Sequence, residues 1–508
     1  MNLARKLSET AHAFGAKPAV IFEGTPYTFG QVDREIERYA ALLKRLGAQV
    51  GDRVAIQLPK RMEFVFLELA VLTVGGVALP LNPDYRPEEL EYFLSDSGSS
   101  LFFTDNARFS RARDVLAKFS GLRSVVVDGE ADGAFSLSAE LEKVPRGYVR
   151  EFPTEDDDVA IICYTSGTTG RSKGAMITHR NLVSNTMALH QSWQWSDGDV
   201  LLHALPLFHV HGLFVALHGG LNAGATIIMH EKFDPVSTWE TIGEQRCTIL
   251  MGVPTMYQRL MNAWEQMDKR PDLSSMRVFI SGSAPLLETQ FIRFEQHTGF
   301  RILERYGMTE AGMITSNPIE VEGRKAQSVG FPLPGVEIRV AKPDATDVAP
   351  GEVGEVLMRG ENVFAGYWGM PEKTAESFVE GWFKSGDLGY QDANDKGRLY
   401  LVGRQKELII TGGYNVYPKE VENILEGHTA ILEAAVIGLP DEDFGERVTA
   451  VVALKEATPA ATPDELMAYC KERLVGYKCP KQLFIIDRLP RNQMGKLQKN
   501  QLVERFRQ

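Results

Sequence analysis

The sequence predicts an α/β protein whose main body is followed by an antiparallel β subdomain and a small α+β domain. The chain has 508 residues, and domains begin to split at about 250–300 residues, so two or three units are expected. Before residue 330, short β-branched runs alternate with segments of helical spacing, which favours parallel sheets covered by helices. Beyond it, short strands follow one another across turns, and roughly the last 100 residues have the size of a separate domain.

The first elements alternate between helix and strand. Apolar residues at helical spacing predict a helix over Thr28–Leu46, and a β-branched run predicts a strand over Val54–Leu58. A second helix is predicted over Met62–Leu72, followed by a strand at Val77–Leu79. The same alternation predicts further strands at Leu101–Thr104, Ser124–Asp128, Val159–Cys163, Thr226–Met229, Thr248–Met251 and Val278–Ser281.

The second half of the chain has shorter strands. Antiparallel strands are predicted at Glu337–Val340, Gly354–Met358 and Leu399–Val402, and the polar segment Gly403–Glu407 interrupts the pattern. Beyond this break, helices are predicted at Pro418–Glu426 and Pro463–Leu474, with strands between them at Ala434–Gly438 and Ala450–Leu454. These elements predict the small α+β domain.

Composition and charge exclude several classes of protein. With 55 basic and 67 acidic residues the net charge is −12, which argues against nucleic acid as a partner. None of the four cysteines forms a C-x-x-C pair, so reduced thiols and a cytoplasmic location are expected. The N-terminal residues lack the apolar centre of a secretory signal. The apolar stretch Phe64–Pro80 is interrupted by Glu68 and is shorter than the ~20 residues that span a bilayer, so no integral membrane segment is expected.

The stretch Tyr164–Gly174 combines hydroxyls, glycines and two cations after a predicted buried strand. Glycine lets the backbone turn tightly, and successive N–H groups in such a turn attract anions. The stretch is not the common P-loop, because Lys173 is followed by Gly174 rather than by Ser or Thr. It predicts a polyphosphate-binding loop, although its composition alone is equally compatible with a flexible surface loop.

Two histidines, His209 and His211, stand beside Phe208 in an apolar stretch. A histidine in such a place is commonly a buried core residue. No carboxylate or cysteine is close in the sequence, so metal binding by this pair is not expected.

The segment Glu304–Glu310 places charged, aromatic and hydroxyl groups around a glycine. Tyr306 is suited to stack on a base, and Thr309 to bind a phosphate oxygen. Glu310 is suited to a hard cation such as Mg²⁺, which prefers oxygen ligands. The alternative is the start of a helix with a solvated, charged face.

A further carboxylate, Asp387, lies in the glycine-flanked turn Gly381–Gly389. A carboxylate accepts hydrogen bonds from a pair of ribose hydroxyls. Arg404 follows the last predicted strand of the β subdomain and is placed to join it.

In this order the motifs resemble those of the adenylate-forming superfamily, which includes acyl-CoA synthetases, peptide adenylation domains and luciferases. The resemblance covers nearly the whole chain. It is based on YTSGTTGRSKG at Tyr164–Gly174, ERYGMTE at Glu304–Glu310, SGDLG at Ser385–Gly389, YLVGRQKELI at Tyr400–Ile409, GGYNVYPKEVE at Gly412–Glu422 and PRNQMGKLQK at Pro490–Lys499.

The resemblance implies an adenylation domain at residues 1–404 and a small, mobile α+β lid at residues 405–508. The larger domain is then expected to hold two mainly parallel α/β-layered subdomains and a β-barrel-like subdomain. Lys406 matches the hinge position of the family.

The resemblance also implies the ATP and Mg²⁺ sites. Tyr306 is expected to lie against adenine, and Asp387 and Arg404 to bind the ribose hydroxyls. Thr309 and Glu310 are expected to meet the α-phosphate and Mg²⁺. The residues expected to hold the β- and γ-phosphates are Thr165, Ser166, Gly167, Thr168, Thr169, Gly170 and Lys173.

The implied activity is that of an AMP-forming acyl-CoA ligase, whose substrates are a carboxylic acid, ATP and CoA. Lys496 is expected to bridge the acyl carboxylate and the α-phosphate, and His209 to gate the passage between the acyl site and the thiol tunnel. CoA is expected near Gly413, Tyr414 and Lys478, although the lysines of that stretch are equally compatible with a solvated surface. A nucleotide-binding scaffold without turnover is disfavoured because Lys496, Thr309 and Glu310 are all present.

Within the superfamily the chain resembles malonyl-CoA synthetases at His203–Ala216, Gly252–Leu260 and Phe279–Leu287. A short dicarboxylate needs a cation for its distal carboxylate, and arginine donates two bonds to such a group. Arg259 is the predicted cation, with Ser281 and Met313 lining the same pocket; the alternative places Arg259 on a helix surface. The family pattern E-T-x-M-N-T-S-N is replaced here at Glu310–Asn317 by EAGMITSN. Malonate and methylmalonate are therefore expected substrates, with a medium- or long-chain fatty acid as the alternative, and the protein is expected to be a monomer or homodimer.

Overall fold

The computed structural model describes residues 2–145, 147, 150–165, 172–455, 461–492 and 496–507. The strands in chain order are β1 (Pro18–Phe22), β2 (Thr25–Thr28), β3 (Arg53–Gln57), β4 (Val77–Pro80), β5 (Leu101–Thr104), β6 (Arg123–Val126), β7 (Phe135–Ser136), β8 (Val159–Thr165), β9 (Lys173–Thr178), β10 (Val200–His203), β11 (Thr226–Met229), β12 (Ile249–Gly252), β13 (Val278–Ser281), β14 (Leu303–Met308), β15 (Gly312–Ser316), β16 (Ser328–Pro332), β17 (Val336–Ala341), β18 (Gly354–Gly360), β19 (Gly366–Tyr367), β20 (Phe378–Val379), β21 (Trp382–Asp392), β22 (Arg398–Arg404), β23 (Ile409–Thr411), β24 (Tyr414–Val416), β25 (Ile431–Asp441), β26 (Gly445–Leu454) and β27 (Gln482–Ile485).

The α-helices are α1 (Leu3–Ala13), α2 (Phe29–Arg45), α3 (Met62–Thr73), α4 (Pro87–Ser97), α5 (Asn106–Leu116), α6 (Leu137–Glu142), α7 (His179–Trp193), α8 (Gly219–Asn222), α9 (Pro235–Glu244), α10 (Pro254–Gln266), α11 (Glu288–Thr298), α12 (Pro371–Glu376), α13 (Pro418–Glu426), α14 (Pro463–Lys471) and α15 (Lys499–Phe506). A π-helix over His211–His218 leads into α8. No helix in the described part of the chain is long and apolar enough to cross a bilayer.

Local sequence explains where several helices begin. Thr28 caps α2 through a reciprocal capping box with Gln31, which satisfies backbone donors at the helix start. Proline occupies the first turn of α10, α13 and α14, where its fixed φ suits a helix and its missing N–H costs nothing. Helix α3 is buried almost all round and therefore lies inside the core.

An eight-stranded sheet has the order β19-β9-β8-β4-β3-β5-β6-β7. The pairs from β8 through β4, β3, β5 and β6 to β7 are parallel. Strand β9 returns antiparallel to β8, so the two strands form a hairpin that flanks the predicted phosphate loop on both sides.

A fourteen-stranded sheet follows the path β17-β18-β21-β22-β16-β15-β14-β13-β12-β10-β11-β1-β2, with β20 beside β21. The part from β14 to β1 is parallel, and the part from β14 to β17 is antiparallel. The mainly parallel α/β layering predicted for the main body is confirmed.

The predicted β-barrel-like subdomain is wrong in one respect. Within the described residues, the antiparallel strands continue the fourteen-stranded sheet as an open path, and the end strand β17 pairs with β18 alone. Short strands and turns in sequence do not reveal whether the last strand pairs back to the first, because closure depends on long-range register.

The C-terminal part has its own sheet, ordered β24-β23-β26-β25 with β27 beside β26. Helices α13 and α14 bury Val421, Leu425 and Leu466 in one core, and α15 buries Leu502 in a second core. The predicted small α+β unit is therefore present. The predicted boundary after Arg404 falls between β22 and β23, and it remains a prediction as a domain limit.

Candidate active site

The base of the predicted phosphate loop is held on two sides. Thr165 pairs with Lys173 across the β8–β9 hairpin, and its hydroxyl donates to the Lys173 carbonyl at 3.4 Å. Tyr92 of α4 donates to the Ser172 carbonyl at 2.6 Å, which anchors the end of the loop that leads into β9. The other predicted loop residues lie outside the described residues, and these are Ser166, Gly167, Thr168, Thr169 and Gly170.

The predicted adenosine-binding residues are brought together in the fourteen-stranded sheet. The Tyr306 hydroxyl donates to Asp387 Oδ2 at 2.6 Å, and Arg404 Nε lies 3.0 Å from Asp387 Oδ1. Asp387 faces Arg404 directly across the β21–β22 ladder, which explains their contact. Burial raises the pKa of Asp387, while Arg404 and Tyr306 oppose this by stabilising the carboxylate.

The predicted magnesium residue, Glu310, is buried and accepts a hydrogen bond from the Tyr367 hydroxyl at 3.0 Å. This is its only side-chain hydrogen bond within the described residues, so a second carboxylate oxygen remains for a cation. Mg²⁺ is commonly held by one or two carboxylates together with substrate phosphates. No group of three or more His, Cys, Asp or Glu able to hold a metal occurs in the described part of the chain. Glu310 therefore fits a cation that arrives with a nucleotide.

Lys496 reaches this region from the C-terminal domain. Its backbone is anchored next to β25: the Lys496 N–H donates to Asn492 Oδ1 at 2.9 Å, Arg491 pairs with Leu497, and Arg491 forms an ion pair with Glu433 of β25. Three residues further on, Lys499 lies 2.9 Å from Glu407 and 2.7 Å from Glu422. This ion cluster, in which Glu422 is buried, fastens the start of α15 to the segment that follows the predicted hinge.

Burial lowers the pKa of Lys496, and the positive charge of Arg404 lowers it further, while Glu310 and Asp387 oppose the shift. The ammonium therefore lies within electrostatic reach of both the magnesium residue and the ribose residue. Thr309 lies in the same region and lines a small cleft with Asn185.

The two histidines of the apolar stretch are neutral at physiological pH. Burial lowers the pKa of His209 to about 3, and the charges of Lys496 and Arg305 act in the same direction. His211 is fully buried, and burial lowers its pKa well below the usual range. Its Nδ1 lies 3.3 Å from the Ser283 hydroxyl, and its Nε2 has no partner within the described residues.

Arg305 is a site residue that the sequence predictions missed. It lies on β14 between Glu304 and Tyr306, only 3% of its surface is exposed, and Nε and Nη2 of its guanidinium have no hydrogen-bond partner within the described residues. The guanidinium lies over Gly282, where a Cβ atom would collide with it. The next residue, Ser283, has a positive φ of 68°, a strained backbone state that tends to occur at functional sites.

Within the described residues, no carboxylate forms an ion pair with Arg305, although Tyr257 and Glu304 act to raise its pKa. Burial raises the pKa of Glu304 to about 8, so Glu304 is protonated at neutral pH. Burial also lowers the pKa of Arg305 to about 9, which leaves the guanidinium charged at neutral pH. A buried charge without a partner is costly, and this site therefore favours an anionic ligand.

The three residues predicted to line the acyl pocket differ in placement. Ser281 ends β13 with a fully buried hydroxyl that has no partner in the described structure, and Met313 is buried on β15. Arg259 lies on the exposed side of α10, whose buried side includes Tyr257 and Leu260. The structure thus brings Ser281 and Met313 into the core beside β14 and leaves the Arg259 side chain at the surface.

The predicted CoA residues share one surface of the C-terminal domain. Tyr414 is 58% exposed and stacks on Tyr477 at a centroid distance of 4.7 Å. Lys478 Nζ lies 5.8 Å from the Tyr477 ring centroid and donates to both oxygens of Glu420, at 2.6 and 2.8 Å.

Two further predicted residues lie at turns next to these elements. Gly413 adopts a positive φ of 82° in the turn before Tyr414. The predicted hinge residue, Lys406, lies in the 3-10 turn Gln405–Glu407 between β22 and β23.

Comparison with known proteins decides the family. The AMP-binding enzyme family matches residues 7–368, and its C-terminal domain matches residues 420–496. The chain belongs to the AMP-binding enzyme family. The two matched ranges hold the hairpin base, β14 and Lys496, whereas Asp387 and Arg404 lie in the stretch between them.

Characterised members align over nearly the whole chain. Mitochondrial malonate–CoA ligase of Mus musculus is 36% identical, covering 98% of this chain and 90% of its own length. The long-chain-fatty-acid–CoA ligase of Bacillus subtilis is 34% identical, covering 98% of this chain and 93% of its own length. The crystal structure of ATP-bound MatB from Rhodopseudomonas palustris is 40% identical, covers 100% of this chain and 99% of that chain, and superposes with a TM-score of 0.91.

Two site residues had weak sequence signals. Arg305 lies inside the quoted ERYGMTE motif, but a charged residue is ordinarily solvated, so its burial was not foreseen. Tyr367 lies 57 positions from Glu310, and no local pattern joins the two.

Proposed function

We propose that this protein is an AMP-forming acyl-CoA ligase that joins malonate, or a closely related short dicarboxylate such as methylmalonate, to CoA. The observation that carries the choice of acid is the buried guanidinium of Arg305. The relatives named as malonate–CoA ligases support the same substrate class.

A distal carboxylate satisfies the needs of this pocket. Nε and Nη2 of Arg305 are the donors left without partners, and arginine donates two parallel bonds to a carboxylate. The buried Ser281 hydroxyl, which also has no partner within the described residues, supplies a further donor. We therefore assign recognition of the distal carboxylate chiefly to Arg305, whereas Arg259, exposed on α10, is the weaker candidate.

In the first half-reaction the reacting carboxylate of the acid attacks the α-phosphate of ATP, and pyrophosphate leaves. Two anions approach each other, so positive charge is needed where negative charge develops. Lys496 supplies an ammonium at that point, and Thr309 donates to the α-phosphate. Tyr306, Asp387 and Arg404 bind the adenosine part, while Thr165 and Lys173 flank the β- and γ-phosphates. Bound Mg²⁺, held by Glu310, supplies additional charge neutralisation.

In the second half-reaction the CoA thiol attacks the acyl-adenylate, and AMP leaves. His209 is neutral because its pKa is about 3, so it forms an uncharged gate beside the acyl group. Rotation of the C-terminal lid about the hinge residue Lys406 withdraws Lys496 from the active site and brings another face of the lid to it. The exposed aromatic residue Tyr414, with Gly413 and Lys478 near it, provides the surface for CoA.

The experiment is pyrophosphate release with a panel of acids, in the presence and absence of CoA. Malonate and methylmalonate are expected to support CoA-dependent turnover, while octanoate is expected to be poor. Turnover with octanoate and none with either dicarboxylate would contradict the proposed substrate. No pyrophosphate release with any acid would contradict the ligase itself.

A medium- or long-chain fatty acid is the second candidate, favoured by the Bacillus subtilis relative. An alkyl chain would leave the Arg305 donors unpaired, at a cost of several kcal/mol for a buried charge. A cytoplasmic location and a monomeric or dimeric state remain predictions.

A further inference from the structure

A short segment connects the two large sheets beside the predicted metal residue. We call residues 361–368 the connector segment. It contains β19, the edge strand of the eight-stranded sheet, and beside this strand the Trp368 N–H donates to the Gly174 carbonyl at 2.7 Å and the Ala365 N–H to the Met176 carbonyl at 3.0 Å. The Asn181 side chain of α7 donates to the carbonyls of Glu361 and Val363 in the segment, at 2.7 and 2.8 Å.

On its other side the connector segment holds the loop that bears Glu310. The Phe364 N–H donates to the Glu310 carbonyl at 2.8 Å, and Asn362 Nδ2 donates to the Ala311 carbonyl at 2.7 Å. The segment thus fixes the backbone of the metal-binding loop relative to the strand that follows the phosphate loop.

Tyr367 joins the side chains of the same two regions. Its hydroxyl donates to Glu310 Oε1 at 3.0 Å, and Lys173 Nζ lies 4.0 Å from the centroid of its ring. Only 5% of the Tyr367 surface is exposed, and its own N–H donates to Thr374 Oγ1 at 2.9 Å. The hydroxyl and the ring face of this buried side chain are thus both in contact with site residues.

We infer that Tyr367 is a positioning residue for nucleotide-bound magnesium, acting through Glu310 and, by its ring face, on Lys173. The inference rests on the proposed function, in which Glu310 meets Mg²⁺ and Lys173 meets the ATP phosphates. The phenol fixes one carboxylate oxygen and leaves the other to bind the cation. The ring holds the Lys173 ammonium by a cation–π contact. Tyr367 thus fixes the distance between Glu310 and Lys173 across the two sheets.

Two substitutions separate the two contacts. Tyr367→Phe removes the hydroxyl and keeps the ring, whereas Tyr367→Leu removes both. Outer partners of metal ligands contribute about 10–100-fold to metal affinity, and we expect the lower end because phosphates supply other ligands. Tyr367→Phe should weaken metal binding about tenfold. Tyr367→Leu should in addition weaken nucleotide binding several-fold, through loss of the contact with Lys173.

The direct measurement is Mn²⁺ binding to the full chain with the non-reacting analogue α,β-methylene-ATP, followed by electron paramagnetic resonance of free Mn²⁺. Affinity for the analogue without metal is measured in parallel. Tyr390→Phe is the matched control, since Tyr390 stacks on Tyr400 at 5.1 Å and lies outside this cluster. Glu310→Gln and the double variant complete a double-mutant cycle, in which coupled residues give less than additive losses.

The inference predicts a tenfold loss for Tyr367→Phe, no change for Tyr390→Phe, and no further loss when Tyr367→Phe is added to Glu310→Gln. Wild-type Mn²⁺ affinity in Tyr367→Phe, or fully additive losses in the cycle, would overturn it. Because the cycle compares differences, a general loss of stability does not mimic coupling. A wild-type chain that takes up no Mn²⁺ with the analogue would instead overturn the proposed function.

Discussion

Replacing Arg305 by methionine should abolish the preference for a dicarboxylate. The side chain offers two donors without partners, Nε and Nη2, and a hydrogen bond to a charged group contributes about 1.5–3 kcal/mol. The two bonds together give roughly 3–6 kcal/mol, and desolvation of the substrate carboxylate offsets part of this, which leaves about 3–4 kcal/mol. Since 1.36 kcal/mol corresponds to a tenfold change in rate, kcat/KM for malonate should fall about 10²–10³-fold.

The assay is steady-state pyrophosphate release with malonate and with octanoate, alongside thermal unfolding. The Arg305→Met variant should keep or gain octanoate activity, and its melting temperature should stay the same or rise, because an unpaired buried charge is removed. Arg259→Ala is the comparison, and its smaller effect would separate the exposed arginine from the buried one. Malonate activity within about threefold of wild type, or equal losses for both acids, would refute the reasoning.

Lys496→Ala should slow adenylation by at least about 10²-fold and leave the affinity for ATP nearly unchanged. Single-turnover pyrophosphate release measures the rate, and ATP titration measures the affinity. A normal adenylation rate would contradict the role assigned to Lys496. The lowered pKa of Lys496 predicts that adenylation declines at alkaline pH below the ordinary lysine range of about 10.4, and Lys496→Arg should remove that decline in the pH–rate profile. Burial lowers the pKa of Lys60 to about 7 from 10.5, so the unfolded chain binds more protons between these values and stability should rise with pH across that window. Lys60→Met should remove this rise of stability with pH and should increase the melting temperature at neutral pH. Calorimetry at several pH values measures both. An unchanged dependence of stability on pH would show that Lys60 does not cause it. Lys478→Ala should raise KM for CoA and leave CoA-independent pyrophosphate release unchanged, with the exposed Lys471→Ala as control; equal changes in the two variants would exclude a specific role for Lys478.

The sequence pattern predicted the bounds of an element correctly where neighbouring residues alone determine them. The strands Thr226–Met229 and Val278–Ser281 and the helix Pro418–Glu426 have the predicted bounds. The strands are short β-branched or apolar runs, and the helix begins at a proline that cannot lie in its interior. The helix predicted over Pro463–Leu474 ends earlier, at Lys471, since nothing local fixes that end.

Such local patterns do not predict which strands pair when they are distant in the sequence. The β-barrel prediction failed because the pairing of β16 with β22 joins residues about 70 positions apart. The segment Glu304–Glu310 had a solvated helix start as its alternative, whereas β14 buries Glu304 and Arg305 where the parallel and antiparallel parts of the fourteen-stranded sheet meet. Its functional meaning is visible only in three dimensions, where the Arg305 guanidinium lies over Gly282 and its Nε and Nη2 find no partner in the described part of the chain.

The placement of Arg259 illustrates the same limit. The motif placed an arginine near the acyl pocket, but the phase of α10 is set by the burial of Tyr257 and Leu260, which turns Arg259 outward. Sequence spacing gives the neighbours of a residue along a helix, and the packing of the apolar side decides which of them face the core.

The most direct test of the account is a competition between acids in one reaction. Wild-type protein is incubated with ATP, Mg²⁺, CoA and equal concentrations of malonate and octanoate, and the thioesters formed are quantified by mass spectrometry. The account predicts that malonyl-CoA and AMP accumulate and that octanoyl-CoA stays a minor product. A predominance of octanoyl-CoA would contradict the role of Arg305, and the absence of any thioester would contradict the proposed ligase.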